Sequence, residues 1–533
     1  MKRRKSSGAG SVKGSVTVFL VLSLTLFLSA VFAFLELARV SSLKSGAELC
    51  TMQAADGLLA EYHPGLWKDY GILCREAPSG QPAGVASLTE RQKALIAGNY
   101  EEPGKASGNY YLMKLRLAEA NVSRYELITD DGGAPFRRQA VLQAKQTLPQ
   151  KTIEQLRELL ESGEFRGKSE TEMQAMEQEA DQTLRRIRDQ QKGAGSSSSD
   201  DFTPGDTAAA DEKKTAGSGQ KMPAMSERER KRLLQKNPIT WMKKMKKHGV
   251  LALVMPDQKI SQKMIRTETL VSHRGRSSGN YGTSSAGRMT DRILFRMYLS
   301  QKFPSASAVT GAGALDYEME YLLSGKASDE KNLKSAVRQL LLMREGVNYM
   351  FLLRDAKRLA EAQSLALAIS SAAMLPVLEE PVKHGILLAW AYAESISDVR
   401  ILMSGGKIAP IKTGTDWKTD LYQIGGEPSA AAGTSGHSTG QTGASGDRGW
   451  NRKMDYSQFL FLLLWTKKEE ALTYRCMDLI EGREQVQMDH MVSRMEERFV
   501  YEARPVFWQY VWIGQNSPGI YKFRNQRELS YLS

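Results

Sequence analysis

SVTVFLVLSLTLFLSAVFAFL, residues 15–35, runs for 21 residues without a charge. At about 1.5 Å of rise per residue, a helix of that length spans roughly 30 Å, the thickness of a bilayer's hydrocarbon core. Lys2, Arg3, Arg4, Lys5 and Lys13 precede it with no acid among them, and positive charge stays on the cytoplasmic side of a span. The stretch therefore reads as a transmembrane helix at 15–35 behind a basic cytoplasmic tail at 1–14, with almost all the remaining chain extracellular. The competing reading is a cleaved secretory signal with Val31-Phe32-Ala33 as the cleavage site, but signal cores run only about 7–15 residues. Both readings export the body of the chain.

Beyond the span, Leu37, Val40, Leu43, Ala47, Cys50, Ala54 and Leu58 recur three or four apart. That is one face of an amphipathic helix, running on to about Tyr62, where His63-Pro64-Gly65 breaks it. One long helix is thus expected to be half embedded and half packed on an external domain. Glu36 and Arg39 sit where it leaves the membrane, either as an ion pair or, in the commoner arrangement, as two snorkelling charges marking the bilayer edge.

The region 36–192 reads as α+β. Leu66 to Leu73 is a short aromatic segment that docks the helix end. Residues 109–128 (NYYLMKLRLAEANVSRYELI) read as one or two strands ended by Asp130-Asp131-Gly132-Gly133. A helix follows from Phe136 to near Pro149. Ile153, Leu156 and Leu160, then Met173, Met176, Ala180, Leu184 and Ile187, predict a helical hairpin or short coiled coil or, equally, two surface helices packed on a domain. Residues 193–221 form a Gly-, Ser- and Asp-rich flexible linker, and 425–449 a second low-complexity insert; both are expected to be protease-sensitive.

Between them, 222–424 reads as a mainly helical exported domain. Asn237-Pro238 opens it, Val250 to Met255 (VLALVM) is strand-like, 274–288 is loop, and Tyr317 to Arg400 is helical, with Leu340, Met343, Val347, Met350 and Phe351 on one stripe. Leu365 to Leu378 and Ile386 to Ala393 are strongly apolar, but Glu379, Glu380, Pro381 and Lys383 divide them and each piece is too short to span a membrane. Residues 450–533 complete the domain with a long helix from Tyr456 to Gln485 and strands over Arg498 to Trp512 and Ile520 to Leu532. The fold class is α+β, predominantly helical, with one N-terminal transmembrane helix extending into an exported domain that has short β segments.

Composition agrees. At 533 residues the chain exceeds one ordinary domain, and 41% hydrophobic residues exclude wholesale disorder. A single long apolar run excludes a polytopic protein, and three cysteines exclude a disulfide framework. Export permits a disulfide between Cys50 and Cys74; Cys476 reads as buried and inert. The net charge of +13 lies almost wholly in the first 13 residues and in 226–248 (SERERKRLLQKNPITWMKKMKKH). Outside the membrane the available polyanions are lipid headgroups and wall polymers, so 226–248 is read as a weak electrostatic contact with one of these, set against a solvated helix face. No nucleic-acid partner is expected.

No Walker loop, nucleophile elbow, CxxC or HExxH occurs, and Thr310 to Ala314 is too short a glycine match for a nucleotide loop. The best carboxylate pair is Glu318 and Glu320, near Lys326 in the chain and expected near Arg344 and Glu345 in space; Glu394, Asp398 and Arg400 form a second set. Such pairs serve acid/base chemistry, but charges bracketing buried helices more often form structural pairs. No catalytic, cofactor-binding or metal-binding residue is assigned, and no cofactor.

Gly14-Ser15-Val16-Thr17-Val18-Phe19 opening a single span resembles the start of TadE/TadG-like pseudopilins of tight-adherence (Tad, or Flp-type) pilus systems. Further stretches are similar to an uncharacterised bacterial family, domain of unknown function (DUF) 5702: 58–73 (LLAEYHPGLWKDYGIL), 237–256, 316–333, 344–369 and 389–417 (AWAYAESISDVRILMSGGKIAPIKTGTDW). The resemblance implies company with the membrane components of pilus assembly. It departs from type IV-like pilins at one point: were the peptidase to cut after Gly14, the fifth mature residue would be Phe19 instead of the Glu used in assembly, which favours a static anchor over a polymerising subunit. The expected function is structural: a single-pass envelope protein supporting pilus assembly or adhesion, through contacts with lipid along 15–35 and with other membrane or pilus-assembly proteins. The alternatives are a wall-polymer binding module or envelope sensor using 226–248, and an exported hydrolase using Glu318 and Glu320.

Overall fold

The computed structural model describes residues 12–100, 113–147, 170–194, 237–256, 259–282, 288–372, 379–424, 453–507 and 519–531. The insert at 425–449, nearly all of the linker at 193–221, the first arm of the expected hairpin and residues 226–236 lie outside them. In chain order the helices are α1 Val12–Ala60, α2 Pro82–Tyr100, α3 Asp130–Thr147, α4 Glu170–Ala194, α5 Pro238–Lys247, α6 Val250–Val254, α7 Met289–Lys302, α8 Glu318–Ser324, α9 Asp329–Arg354, α10 Ala356–Ala372, α11 Glu379–Met403, α12 Tyr456–Leu464 and α13 Glu469–Glu484. The strands are β1 Arg75–Glu76, β2 Arg116–Leu127, β3 Met491–Ala503 and β4 Tyr521–Ser530. The fold is α+β and predominantly helical, as the patterning predicts.

The chain forms two compact units. The first takes residues 1–147, 267–298 and 469–533; the second takes 148–266 and 299–468. In the first unit, β3 is the central strand of an antiparallel sheet, with β2 paired along one edge and β1 and β4 along the other. β2 slips register against β3 at three places, the mark of bulges that twist a strand. Leu43, Ala47, Cys50 and Ala54 of α1, with Ile96 of α2, pack on Phe499, Tyr501 and Ala503 of β3. A second cluster joins Leu58, Val85 and Leu88 to Val492, Met495 and Leu529. The apolar stripe of α1 is therefore the layer laid over the sheet, as its spacing predicts. After β2 the chain reverses through Asp131, Gly132 and Gly133, all left-handed (φ +50°, +65° and +79°), so the turn expected there sits at the head of α3.

In the second unit, α11 is the buried axis, with α4, α5, α9 and α10 packed around it. Gly385 lets two neighbours close in: a Cβ there would lie 2.6 Å from Ala180 Cβ of α4 and 2.7 Å from Ile239 Cδ1 of α5. α4 is thus a helix packed on a domain through Met173, Ala180 and Leu184.

Three expectations are corrected. VLALVM is a helix, α6, closed by the Met255 N–H to Leu251 O bond of 2.7 Å; a short apolar run carries no period that separates the two forms. Tyr456 to Gln485 is two helices. The N–H groups of Trp465, Thr466 and Lys467 bond back three residues, to Leu462, Leu463 and Leu464 (3.0–3.2 Å), which tightens and ends α12, while Glu469 and Glu470 suit the start of α13. β3 begins at Met491, seven residues before Arg498, because its polar residues mask the alternation there.

Candidate functional site

α1 is continuous from an apolar half that the protein leaves uncovered to a half buried on the sheet. Leu20, Leu24, Leu26 and Phe27 are exposed, whereas Leu43, Ala47 and Cys50 are buried. At the junction the stripe shifts: Leu37 is exposed, while Glu36 and Arg39 are 2% and 4% exposed. They are not snorkelling charges. Arg39 Nη1 pairs with Glu36 Oε1 at 2.8 Å, and Arg39 Nη2 donates to the Arg504 carbonyl at 3.0 Å. Glu36 Oε2 accepts the N–H groups of Phe507 (2.8 Å) and Val506 (3.3 Å). Burying an ion pair is worthwhile only when its remaining lone pairs and protons are bonded, and here the chain after β3 supplies those bonds. Deeper along α1, the Thr51 and Tyr501 hydroxyls meet at 2.7 Å.

The second unit holds a buried network of four charges. Glu394 and Asp398 lie one turn apart on α11, as the i, i+4 spacing dictates. Arg344 of α9 bonds Asp398 Oδ2 through Nη2 (2.9 Å) and Nε (3.1 Å), and its Nη1 donates to Pro410 O at 2.6 Å. Lys412 pairs with Asp398 Oδ1 at 2.6 Å and with Glu394. Glu394 also accepts the N–H groups of Lys418 (3.1 Å) and Thr419 (2.8 Å), while Asn348 reaches Ser395 (3.0 Å) and Asp398 (3.2 Å). All four charged residues are at most 5% exposed. Two acids and two bases leave the network neutral, and it sews the 410–419 loop onto α9 and α11. Arg400, grouped with these acids by sequence, faces elsewhere and donates to Leu253 O at 2.8 Å.

Glu318 and Glu320 lie on α8, both buried. Arg344, expected beside them, is committed to Asp398, and Glu345 meets Lys246 at 3.5 Å. Glu320 Oε1 accepts the Ala306 N–H at 3.0 Å and the Tyr456 hydroxyl at 2.9 Å. Burial pushes its carboxyl up to about 7 despite these bonds. Sequence reading missed a second such group, Glu497, which takes a place in the inward row of β3 between Met495 and Phe499. Burial lifts it to about 7 as well, with the Thr89 hydroxyl 3.1 Å away. An acid in an otherwise apolar alternation was the signal available.

Of the basic segment, residues 237–248 are described. Asn237 caps α5, its side chain accepting the Ile239 N–H at 3.0 Å. Lys243 pairs with Asp181, and Lys246 with Glu177 at 2.6 Å, both acids on α4. Lys244 and Lys247 are exposed. The three cysteines are free and buried. Cys50 and Cys74 do not form the disulfide that export permits, and burial pushes both thiols up, Cys50 to about 11, which suppresses thiolate chemistry. Among the described residues, no group of three or more His, Cys, Asp or Glu side chains is placed to hold a metal.

Fold and junction together define a predominantly helical α+β protein in two units, led by one helix long and apolar enough to cross a membrane. The chain belongs to DUF5702, a family of unknown function, which it matches over residues 228–503. No curated protein and no solved structure matches it. The stretches at 237–256, 316–333, 344–369 and 389–417 fall inside the matched span. The pilin-like opening at 14–19 falls outside it.

Proposed function

We propose that this protein is a single-pass envelope protein of structural type, its basic N-terminus cytoplasmic, its two units extracellular, working beside Tad/Flp-type pilus assembly or in adhesion. One observation carries the reading. α1 passes without a break from an uncovered apolar half into the core of the first unit, so whatever holds residues 15–35 also holds the body. The buried Glu36–Arg39 pair stiffens that passage. The protein acts as a fixed post whose folded units meet partners; its buried carboxylates serve the fold.

Pairing of Lys243 and Lys246 with α4 draws two cations out of the proposed polyanion contact, which lowers the standing of the wall-polymer reading. Glu318 and Glu320 are both buried, which weighs against a hydrolase that would use this pair. Membrane fractionation combined with an impermeant label tests the topology. The expected result is a full-length chain that stays in the membrane fraction and is labelled from outside; an N-terminally trimmed, soluble product overturns the anchor. Co-purification from solubilised membranes tests the role, pilus-assembly components in the eluate supporting it and wall polymer alone refuting it.

A further inference from the structure

Contacts along α1 fix which end of the first unit lies nearest the 15–35 stretch. Arg39 donates to the Arg504 carbonyl at 3.0 Å, and Leu43 and Ala47 share a buried cluster with Leu115 and Ala503. Burial, and after it the nearby Glu36 carboxylate, push the Tyr521 hydroxyl up, so the first residue of β4 stands at this end as well. Register joins the three strands there. Glu502 of β3 lies opposite Arg116 of β2 on one side and Lys522 of β4 on the other. Residues 39 to 47 of α1 lie about 6 to 18 Å beyond Leu35 along the helix axis. Headgroups occupy about 5–8 Å outside the hydrocarbon core, and a charge acts over a further Debye length of roughly 8–10 Å. This rim of the sheet is therefore within reach of headgroup phosphates.

The rim is charged with one sign. Lys44, Lys114, Arg116, Arg504 and Lys522 are all exposed. The acid beside them is Glu502, 3.3 Å from Lys522, and the buried Glu36–Arg39 pair is neutral in itself. Among the described residues, no carboxylate pairs with Lys44, Lys114, Arg116 or Arg504. Exposed cations gathered this way repel one another until an anion stands between them. Guanidinium groups grip phosphate oxygens in pairs and ammonium groups act as point charges, so the rim suits phosphate.

We propose that Lys114, Arg116, Arg504 and Lys522, with Lys44 beside them, form a seat for the headgroups of anionic phospholipid in the leaflet from which α1 emerges. The inference rests on the reading of 15–35 as a span and deepens it by naming the lipid class. The first unit then has two holds on the membrane: an apolar one through α1 and an electrostatic one through the rim of its sheet, which sets its tilt. The basic segment 226–248 plays no part in it.

The test uses the full chain reconstituted in vesicles of phosphatidylcholine with a minority of phosphatidylglycerol. Spin-labelled forms of the two lipids report, through the immobilised component of their spectra, how strongly each is held at the protein. Lys114→Gln, Arg116→Gln, Arg504→Gln and Lys522→Gln are combined in one variant. That variant is made twice, once with the natural N-terminus and once with Lys2, Arg3, Arg4, Lys5 and Lys13 changed to Gln, because those cations attract anionic lipid on the opposite side. Phosphatidylglycerol is expected to be held over phosphatidylcholine, and the preference to fall roughly two-fold or more on neutralising the rim in either background. High salt should abolish it, and Arg116→Lys with Arg504→Lys should keep it. A preference unchanged by the rim substitutions, or indifferent to salt, overturns the seat while the anchor stands. If neither lipid shows an immobilised component, the anchor falls and this inference with it. Should the four-residue variant fail to fold, the chain with the neutral N-terminus decides: a salt-sensitive preference supports the rim, and no preference overturns it.

Discussion

Lys412 stands between two carboxylates of one helix face, and it is 5% exposed. Removing it leaves Glu394 and Asp398 buried beside one remaining cation. Lys412→Met should cost roughly 3–5 kcal/mol in the second unit, as for other broken buried pairs, seen as a lower urea midpoint. Lys412→Met combined with Glu394→Met should recover most of that loss, because Arg344 still serves Asp398; a double variant as unstable as the sum of its singles would refute the pairing. Glu320 and Glu497 act by burial. Each is lifted from the usual 4.5 to about 7, so folding favours the protonated form. Their contribution is whole below pH 4.5 and is lost as pH rises through 7, about 3 kcal/mol each at most. Between pH 5 and 8, Glu320→Gln should flatten the pH dependence of the second unit's unfolding, and Glu497→Gln that of the first. An unchanged slope in either variant counts against the buried-acid account. At this scale the sequence exposed half the pattern. Glu394 and Asp398 share a face by spacing alone, but Arg344 lies 54 residues from Asp398, and only packing of α9 on α11 selects it over Arg400.

Among the elements, α11 was the most legible, since its uninterrupted apolar run fits a helix covered on all sides. Its least tolerant position is Gly385, where α4 and α5 both approach. Gly385→Ala should destabilise the second unit by about 1–3 kcal/mol, the range for overpacking, and Ala180→Gly in the same chain should return part of it; thermal unfolding of the single and double variants decides, and additive losses would rule out the clash. α2 and α7 escaped the reading for a shared reason. The covered face of α2 mixes Thr89 and Gln92 with Val85, Leu88 and Ile96, and that of α7 carries Arg296 at 0% exposure among Ile293, Leu294 and Phe295. Apolar periodicity detects faces whose polar members are few. It fails where an internal partner, such as Glu469 at 3.2 Å from Arg296, makes a charge acceptable inside.

Across the whole molecule the sequence marked the ends and the low-complexity stretches but not the nesting. The second unit is inserted within the first, whose three segments span nearly the full chain. Linear domain boundaries cannot express this, because β2 and its partner β3 are separated by more than 360 residues. The nesting has a consequence for assembly. A two-stranded pairing is marginal alone, and among the described residues the strand partner of β2 is Met491–Ala503; before it is present, α1 likewise lacks Met495, Phe499 and Tyr501 as its floor. A chain made N-terminus first completes the second unit before the first can close. Ending the chain after Lys468 should therefore leave residues 299–424 resistant to limited proteolysis, while 36–147, stripped of β3, α13 and β4, is cut readily. Restoring 469–533 should protect both. Peptide mapping by mass spectrometry reads the difference, and protection of 36–147 in the shortened chain would show that α1, α2 and β2 hold together without the strand that this fold places at their centre.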